Sequence, residues 1–81
     1  MKIERNLQTD TTVLTLSGDL IFETVGPVRS AYLEAADDSK VEINFSDLQN
    51  IDLAGLQVLY SIQKDRDGTG KTVVFSGDKG L

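Results

Sequence analysis

The fold of this chain is decided by one stretch, residues 41–59, which reads VEINFSDLQNIDLAGLQVL. Its first part, Val41–Phe45, alternates strictly between apolar and polar residues and predicts a strand with one buried face. The polar segment Ser46–Asn50 predicts a turn, after which Ile51 returns to the core. A strand therefore leads through a short connection into the next element.

That next element is a helix, predicted directly after Asp52 and covering Leu53–Lys64. Asp is a strong N-cap residue, and its charge suits the positive end of the helix dipole. Lys64 and Arg66 lie near the C-terminus of the helix, where positive charge is favourable, and Asp67–Gly70 ends it. The buried stripe is expected to consist of Leu56, Leu59, Ile62 and the neighbouring Tyr60.

Upstream of this stretch, the sequence predicts an antiparallel hairpin. Lys2–Leu7 alternates loosely, Gln8–Thr11 is a polar cluster typical of a turn, and Thr12–Ser17 is a β-branched, alternating strand. Gly18-Asp19 is expected to close the hairpin. The segment Leu20–Glu23 that follows is an unusually apolar loop.

A first helix is predicted after this loop, and a last strand near the end of the sequence. Thr24 can cap the helix, and Pro27 fits its first turn because a missing N–H would be unpaired there anyway. The helix should end around Asp37–Ser39. Lys71–Phe75 is the last predicted strand, and Ser76–Leu81 is a tail.

The elements follow in the order β-β-α-β-α-β, which predicts a single α/β domain over residues 1–81. Strands separated by helices imply right-handed parallel crossovers. The hairpin adds an antiparallel strand at the edge of the sheet. We therefore expect a sandwich in which helices pack against a mixed, mostly parallel sheet.

The composition argues against an enzyme. The chain has no histidine and no cysteine, so the commonest general base, the commonest metal ligand and any thiolate nucleophile are absent. The net charge of −5 repels phosphate backbones, so we expect no nucleic-acid binding. No apolar run approaches the ~20 residues of a membrane span, and Met1–Asn6 lacks the apolar stretch of a signal peptide. We expect no membrane insertion, a cytoplasmic location, no cofactor and no metal.

Two patterns that resemble functional sites have simpler explanations. Gly68–Lys71 is similar to a phosphate-binding loop, but it leads from a helix into a strand, the reverse of such loops. Asp47 and Asp52 could be imagined as a carboxylate pair, yet they lack partners that would shift their pKa values or complete a metal shell. We therefore interpret them as a turn residue and a helix cap.

Residues 41–59 resemble the signature of STAS domains, the bacterial anti-sigma-factor antagonists and their relatives. Upstream, Leu14–Leu20 resembles the family's strand that ends in Gly-acidic-Leu, and Thr24 falls where the family often caps its first helix. The resemblance extends from about Thr12 to Phe75. Because family members commonly continue past the last strand, it implies that the C-terminal part of the family fold is missing here. An uncovered sheet face or edge would then favour a homodimer.

The resemblance also implies regulation by docking to a protein partner. In the antagonist branch, a Ser or Thr directly after the Asp is phosphorylated by a kinase that is also an anti-sigma factor. That position is Leu53 here, which has no hydroxyl, so we expect no phosphorylation there. The expected partner is a histidine-kinase-like anti-sigma factor or a chemotaxis protein. In other relatives, whose motif often reads Asp-Thr-Ala-Gly-Leu, the partner is the ATPase of a lipid-transporting ABC system, and Ala54-Gly55-Leu56 keeps this alternative open.

The expected contact site centres on the start of the second helix. Asp52 would hold the helix start and present charge, and Leu53 would supply apolar contact. Gly55 permits either tight packing of the helix on the sheet or close approach of a partner. Leu53 is either exposed or tucked under the preceding loop. The predicted partner-binding residues are Asp19, Leu20, Ile21, Phe22, Glu23, Asp52, Leu53, Ala54 and Gly55.

Overall fold

A computed structural model describes residues 1–77 as a four-stranded sheet with two helices. The predicted order β-β-α-β-α-β and the α/β class are confirmed, and a short 3-10 helix, Phe22–Thr24, precedes the first helix. The rest of the predicted tail, residues 78–81, lies outside the described residues. The elements are β1 (Lys2–Gln8), β2 (Thr11–Leu20), α1 (Val25–Glu34), β3 (Lys40–Ile51), α2 (Leu53–Thr69) and β4 (Thr72–Ser76).

The sheet is mixed, with the strand order β1-β2-β3-β4. β1 pairs antiparallel with β2 at one edge, whereas the pairs β2–β3 and β3–β4 are parallel, as predicted. The hairpin turn is Thr9-Asp10, and Asp10 has a φ of 57°, which Asp tolerates better than most residues. Gly18-Asp19 does not close the hairpin, because β2 continues through both residues to Leu20.

The predicted turn at Ser46–Asn50 is wrong, because β3 runs to Ile51 without a break. The pairing of β3 with β2 shifts register opposite residues 15–17 and again opposite residues 18–19 of β2. Each shift inserts one extra residue into β3 and moves its alternation by one position. The buried Leu48 is therefore out of phase with the alternation that precedes it, and the sequence pattern is easily mistaken for a turn.

The helices begin where predicted but end elsewhere. α1 ends at Glu34, before the predicted Asp37–Ser39, because Ala35 leaves the helical conformation. α2 extends through Thr69. Gly70 then ends α2 with a φ of 72°, a left-handed conformation that glycine adopts at no steric cost.

The buried face of α2 differs from the predicted stripe. Leu59 and Ile62 are buried as expected, but Leu56 is 47% exposed and Tyr60 is 61% exposed. The face is rotated toward Gly55, which has no side chain to keep the helix away from the sheet. The buried residues of α2 are Gly55, Val58, Leu59, Ile62 and Arg66.

Arg66 lies in the last turn of α2 and is fully buried. Its guanidinium donates hydrogen bonds to the carbonyl oxygen of Thr72 at 2.9 Å and 3.2 Å, of Ala36 at 3.1 Å and of Asp38 at 2.6 Å. These acceptors belong to the α1–β3 connection and to the first residue of β4. The side chain therefore supplies hydrogen-bond donors to backbone carbonyl groups of both segments.

The hydrophobic core lies on the sheet face that the two helices cover, and includes Leu14, Leu16 and Ile43. Because side chains alternate along a strand, residues between these core positions point to the other face. That face is mostly polar, with Glu4 and Asn44 in register with Thr15 on either side. It offers little apolar surface to a second copy.

Candidate functional site

The carboxylate of Asp52 joins the start of α2 to the connection that follows β2. One oxygen, Oδ1, accepts the N–H of Gly55 at 2.9 Å, which confirms Asp52 as the N-cap. The other, Oδ2, accepts the N–H of Phe22 at 3.0 Å. The N–H of Asp52 itself donates to the carbonyl oxygen of Leu20 at 3.2 Å. Two of these three hydrogen bonds, those with Phe22 and Leu20, hold the two segments together, and the third caps the helix.

These hydrogen bonds lower the pKa of Asp52 below its ordinary value of 3.8. The N–H of Gly55 is the largest cause; desolvation opposes it, and the N–H of Phe22 adds to it. Asp52 is ionised at neutral pH, Glu23 lies on the adjoining connection, and Asp19 lies near the end of β2. The site presents negative charge, in a chain whose net charge is −5.

A second set of hydrogen bonds fixes the connection between β2 and α1. The hydroxyl of Thr24 accepts the N–H of Ile21 at 2.9 Å and donates to the carbonyl oxygen of Asp19 at 2.6 Å. Thr24 precedes α1 as predicted, but its side chain makes no capping bond to the helix. The side-chain amide of Asn50 donates to the Asp19 carboxylate at 2.9 Å. The backbone of the connection is thus fixed from both sides.

This fixed backbone exposes two large apolar side chains. Phe22 is 74% exposed and Leu53 is 69% exposed, so Leu53 does not tuck under the preceding loop. Single exposed apolar residues are common, but these two flank one hydrogen-bonded junction. We call the exposed group of Phe22, Glu23, Asp52 and Leu53 the helix-start surface.

The other predicted contact residues are less accessible. Asp19, Ile21 and Ala54 are partly buried, while Leu20 and Gly55 are buried. A Cβ atom on Gly55 would lie only 2.3 Å from the carbonyl oxygen of Leu20. Gly55 therefore permits the close packing of α2 on β2. Leu20 and Gly55 support the helix-start surface from beneath, which corrects their predicted place in the contact.

Two supporting roles, those of Asn50 and of the Thr24 hydroxyl, were missed from the sequence. The sequence pattern assigns Asn50 to a turn, whereas its Cα is the register partner of Asp19 across the two parallel strands. That pairing follows the second register shift in β3, for which the sequence carries no local signal. A capping position was the obvious use for Thr24, and only the path of the connection shows that its hydroxyl points back.

Within residues 1–77, no cluster of three His, Cys, Asp or Glu side chains could hold a metal ion. No helix in that part of the chain is both long and apolar enough to cross a membrane.

Known proteins share both the sequence pattern and the fold. The family described as Mlab, STAS domain matches residues 3–80. No curated protein is significantly similar to the chain in sequence.

Three solved structures have the same fold at low sequence identity. The anti-sigma factor antagonist SpoIIAA in its unphosphorylated form has a TM-score of 0.73 and 17% identity, over 91% of this chain and 71% of that chain. The STAS domain of an antisigma-factor antagonist from Rhodobacter sphaeroides has a TM-score of 0.78 and 19% identity, over 94% and 85%. The protein Mglu has a TM-score of 0.85 and 18% identity, over 96% of this chain but only 20% of its own.

Proposed function

Because this chain belongs to the STAS domain family, we propose that it is a regulatory protein-interaction domain that binds a signalling partner through the helix-start surface, without a phosphorylation switch. The proposed partner is a histidine-kinase-like anti-sigma factor or a chemotaxis protein. The likeness to a structure named as an anti-sigma factor antagonist supports this class of partner. We treat residues 1–81 as one domain that acts by binding and not by catalysis.

The observation that carries the proposal is the exposure of Phe22 and Leu53 on a backbone that is already fixed. Aromatic and aliphatic side chains at the centre of an interface supply much of its binding energy. A surface that is ordered before binding loses little conformational entropy when the partner arrives. The carboxylates of Asp52 and Glu23 beside them favour a partner with an apolar patch and a basic rim.

The absence of a switch rests on the residues that follow Asp52. Neither Leu53 nor Ala54 has a hydroxyl group that could accept a phosphoryl group. A phosphate at this point would add nearly two negative charges beside a capping carboxylate. In this domain, binding would instead be controlled by the amounts of the partner and of its competitors.

A second candidate partner is the ATPase of a lipid-transporting ABC system. The observation that favours it is the run Ala54-Gly55-Leu56, which matches the end of the Asp-Thr-Ala-Gly-Leu motif of relatives that bind such an ATPase. The surface used would be the same one, so the identity of the captured protein separates the two candidates.

The test is affinity capture from the native cell with quantitative mass spectrometry, comparing the unmodified domain with Leu53→Glu. We expect the partner to be captured at least about tenfold less well by the variant, because a buried leucine contributes roughly 1.5–3 kcal/mol that a carboxylate cannot supply. The matched control is Leu33→Glu, since Leu33 is 63% exposed on α1. Equal capture by all three baits would refute the helix-start surface as the contact.

The purified partner then distinguishes the two candidates. A kinase-like partner supplied with ATP should phosphorylate Leu53→Ser, which restores a hydroxyl at the family position, and should leave the unmodified residues 52–56 unlabelled. An ABC ATPase should bind both forms and label neither.

A further inference from the structure

The second feature of interest is the outer edge of β4. Among residues 1–77, β4 pairs only with β3, so the backbone groups along its other side have no partner strand. Such an edge is a template for pairing with another chain unless charges or proline protect it. The sequence of Thr72–Ser76, TVVFS, contains neither.

The opposite edge of the sheet is protected by charge. β1 carries Lys2, Glu4 and Arg5, and it forms an ion pair between Lys2 and Glu4 at 3.0 Å. Arg5 also approaches Glu34 of α1 at 4.0 Å. Within residues 1–77, charged side chains therefore protect the β1 edge of the sheet but not the β4 edge.

An apolar groove runs beside the β4 edge, between this strand and α2. Its volume is about 230 Å³. Leu56 and Tyr60, which the sequence pattern placed in the core, form its outer rim and are 47% and 61% exposed. The residues that line it are Phe45, Leu56, Leu59, Tyr60, Gln63 and Phe75.

We propose that a second copy of this chain occupies the groove, by antiparallel pairing of β4 with β4 about a two-fold axis near Val74. The sheet would become eight-stranded, and the α2 helices of the two copies would lie side by side on the same face. Such a two-fold contact is self-complementary, because each copy supplies one strand edge and one groove rim. The proposal does not depend on the function assigned to the helix-start surface.

The spacing of the elements supports this arrangement. α2 packs against both β3 and β4, and neighbouring strands lie about 4.8 Å apart. Two helices that each lie above the boundary between their own β3 and β4 would then stand about two strand spacings apart, roughly 10 Å. Packed helices stand about 8–10 Å apart. Strand pairing would therefore bring Leu56 and Tyr60 of the two copies into contact without any change in the fold.

Charge also favours a second copy at this place. Each chain has a net charge of −5, so two copies repel each other wherever acidic residues face one another. Neither β4 nor the lining of the groove contains a charged residue. A stable interface buries about 800 Å² on each partner, which is about a sixth of the 4878 Å² surface of this chain. The strand edge alone cannot supply that area, so the rim of α2 must take part.

The test is the mass of the purified 81-residue chain by sedimentation equilibrium over a wide concentration range. We expect twice the 8.8 kDa of one chain at high concentration, with dissociation on dilution. Val74→Lys places like charges opposite each other at the axis, and Leu56→Glu places a carboxylate in the groove. Each should raise the dimer dissociation constant at least about tenfold.

The control is Leu7→Lys, because Leu7 is 81% exposed on the charged edge of the sheet and its replacement should leave the dimer unchanged. Circular dichroism verifies that each variant is folded. If one of the two interface variants does not fold, the other is sufficient for the test. A monomer mass at all concentrations overturns the proposal. So does a dimer that persists in the folded interface variants, or one that Leu7→Lys abolishes.

Discussion

One carboxylate, that of Asp52, both starts a helix and fixes the segment that stands beside it. Its two oxygens accept N–H groups from Gly55 and Phe22, which are 33 positions apart in the chain. Because the charged form makes these bonds better than the neutral form, the pKa of Asp52 is lowered. The state of a single titratable group is therefore coupled to the shape of the helix-start surface.

Acid should weaken the fold through this residue. The folded-state pKa of Asp52 lies below its ordinary value of 3.8, so its contribution to stability is complete above that value and is lost as the pH falls through the folded pKa. We expect the midpoint of urea unfolding to fall between about pH 4 and pH 2 more steeply for the native chain than for Asp52→Asn.

Asparagine is the matched comparison because its side-chain oxygen can still cap the helix but cannot be protonated in this range. The other carboxylates contribute equally to the pH dependence of the urea midpoint in both proteins. The difference between the two slopes therefore measures the contribution of Asp52. Parallel curves would contradict the assignment.

At the scale of elements, the decisive contact is the packing of the start of α2 on the end of β2. Gly55 allows this contact because a Cβ there would lie 2.3 Å from the carbonyl oxygen of Leu20 and 2.8 Å from Cγ1 of Ile51. The carbonyl oxygen is backbone and cannot move without displacing β2. The helix start, with Asp52 and Leu53, is positioned by this approach.

Gly55→Ala should therefore destabilise the domain, although alanine favours a helix by about 1 kcal/mol. Overpacking against a rigid backbone costs about 1–3 kcal/mol, which outweighs the helix gain, so we expect a net loss of up to about 2 kcal/mol in the free energy of unfolding, measured by urea denaturation.

The same helix contains its own control. Gly68 also lies inside α2, and nothing is within 4 Å of the position that a Cβ would take there. Gly68→Ala should raise the free energy of unfolding by up to about 1 kcal/mol. If the two substitutions changed stability in the same direction, the contact between Gly55 and Leu20 would not be what limits the approach of α2.

At the scale of the whole molecule, Arg66 joins α2 to the α1–β3 connection and to the start of β4. Its guanidinium binds carbonyl oxygens on both sides of β3 in the sequence, at Ala36, Asp38 and Thr72. A domain of this size buries only about 60% of its unfolded surface. Each internal hydrogen bond therefore forms a larger share of its stability than in a larger protein.

Arg66→Met should lower the free energy of unfolding by about 3 kcal/mol, because it removes a buried donor and leaves several carbonyl groups without it. Chemical denaturation measures the loss. Arg29→Met is the control, since Arg29 is exposed on α1 and such surface changes usually stay within about 0.5 kcal/mol. If the two substitutions lowered the free energy of unfolding equally, the hydrogen bonds of the buried guanidinium would not stabilise the fold.

Local signals in the sequence predict a helix cap, a first turn and a strand segment of the structure correctly. Asp52 caps α2, Pro27 lies in the first turn of α1, and Val41–Phe45 forms part of a strand, because each depends on residues within a few positions. Errors arose where a residue's surroundings come from elsewhere in the chain. The helical spacing of Leu56 with Leu59 and Ile62 predicts a core position for Leu56, and the sequence does not indicate that the buried face of α2 turns toward Gly55.

The sequence by itself determined the order of the elements and the mixed sheet, because alternation and capping act over short distances, and its resemblance to STAS domains indicated the family to which the chain belongs. The tertiary structure alone decided that β3 continues through its register shifts, that Arg66 is buried, and that Phe22 and Leu53 are exposed together. Each of these depends on a contact between segments that are distant in sequence. The free energy of such a contact depends on where the second segment lies, and a pattern of residues along one segment does not contain that information.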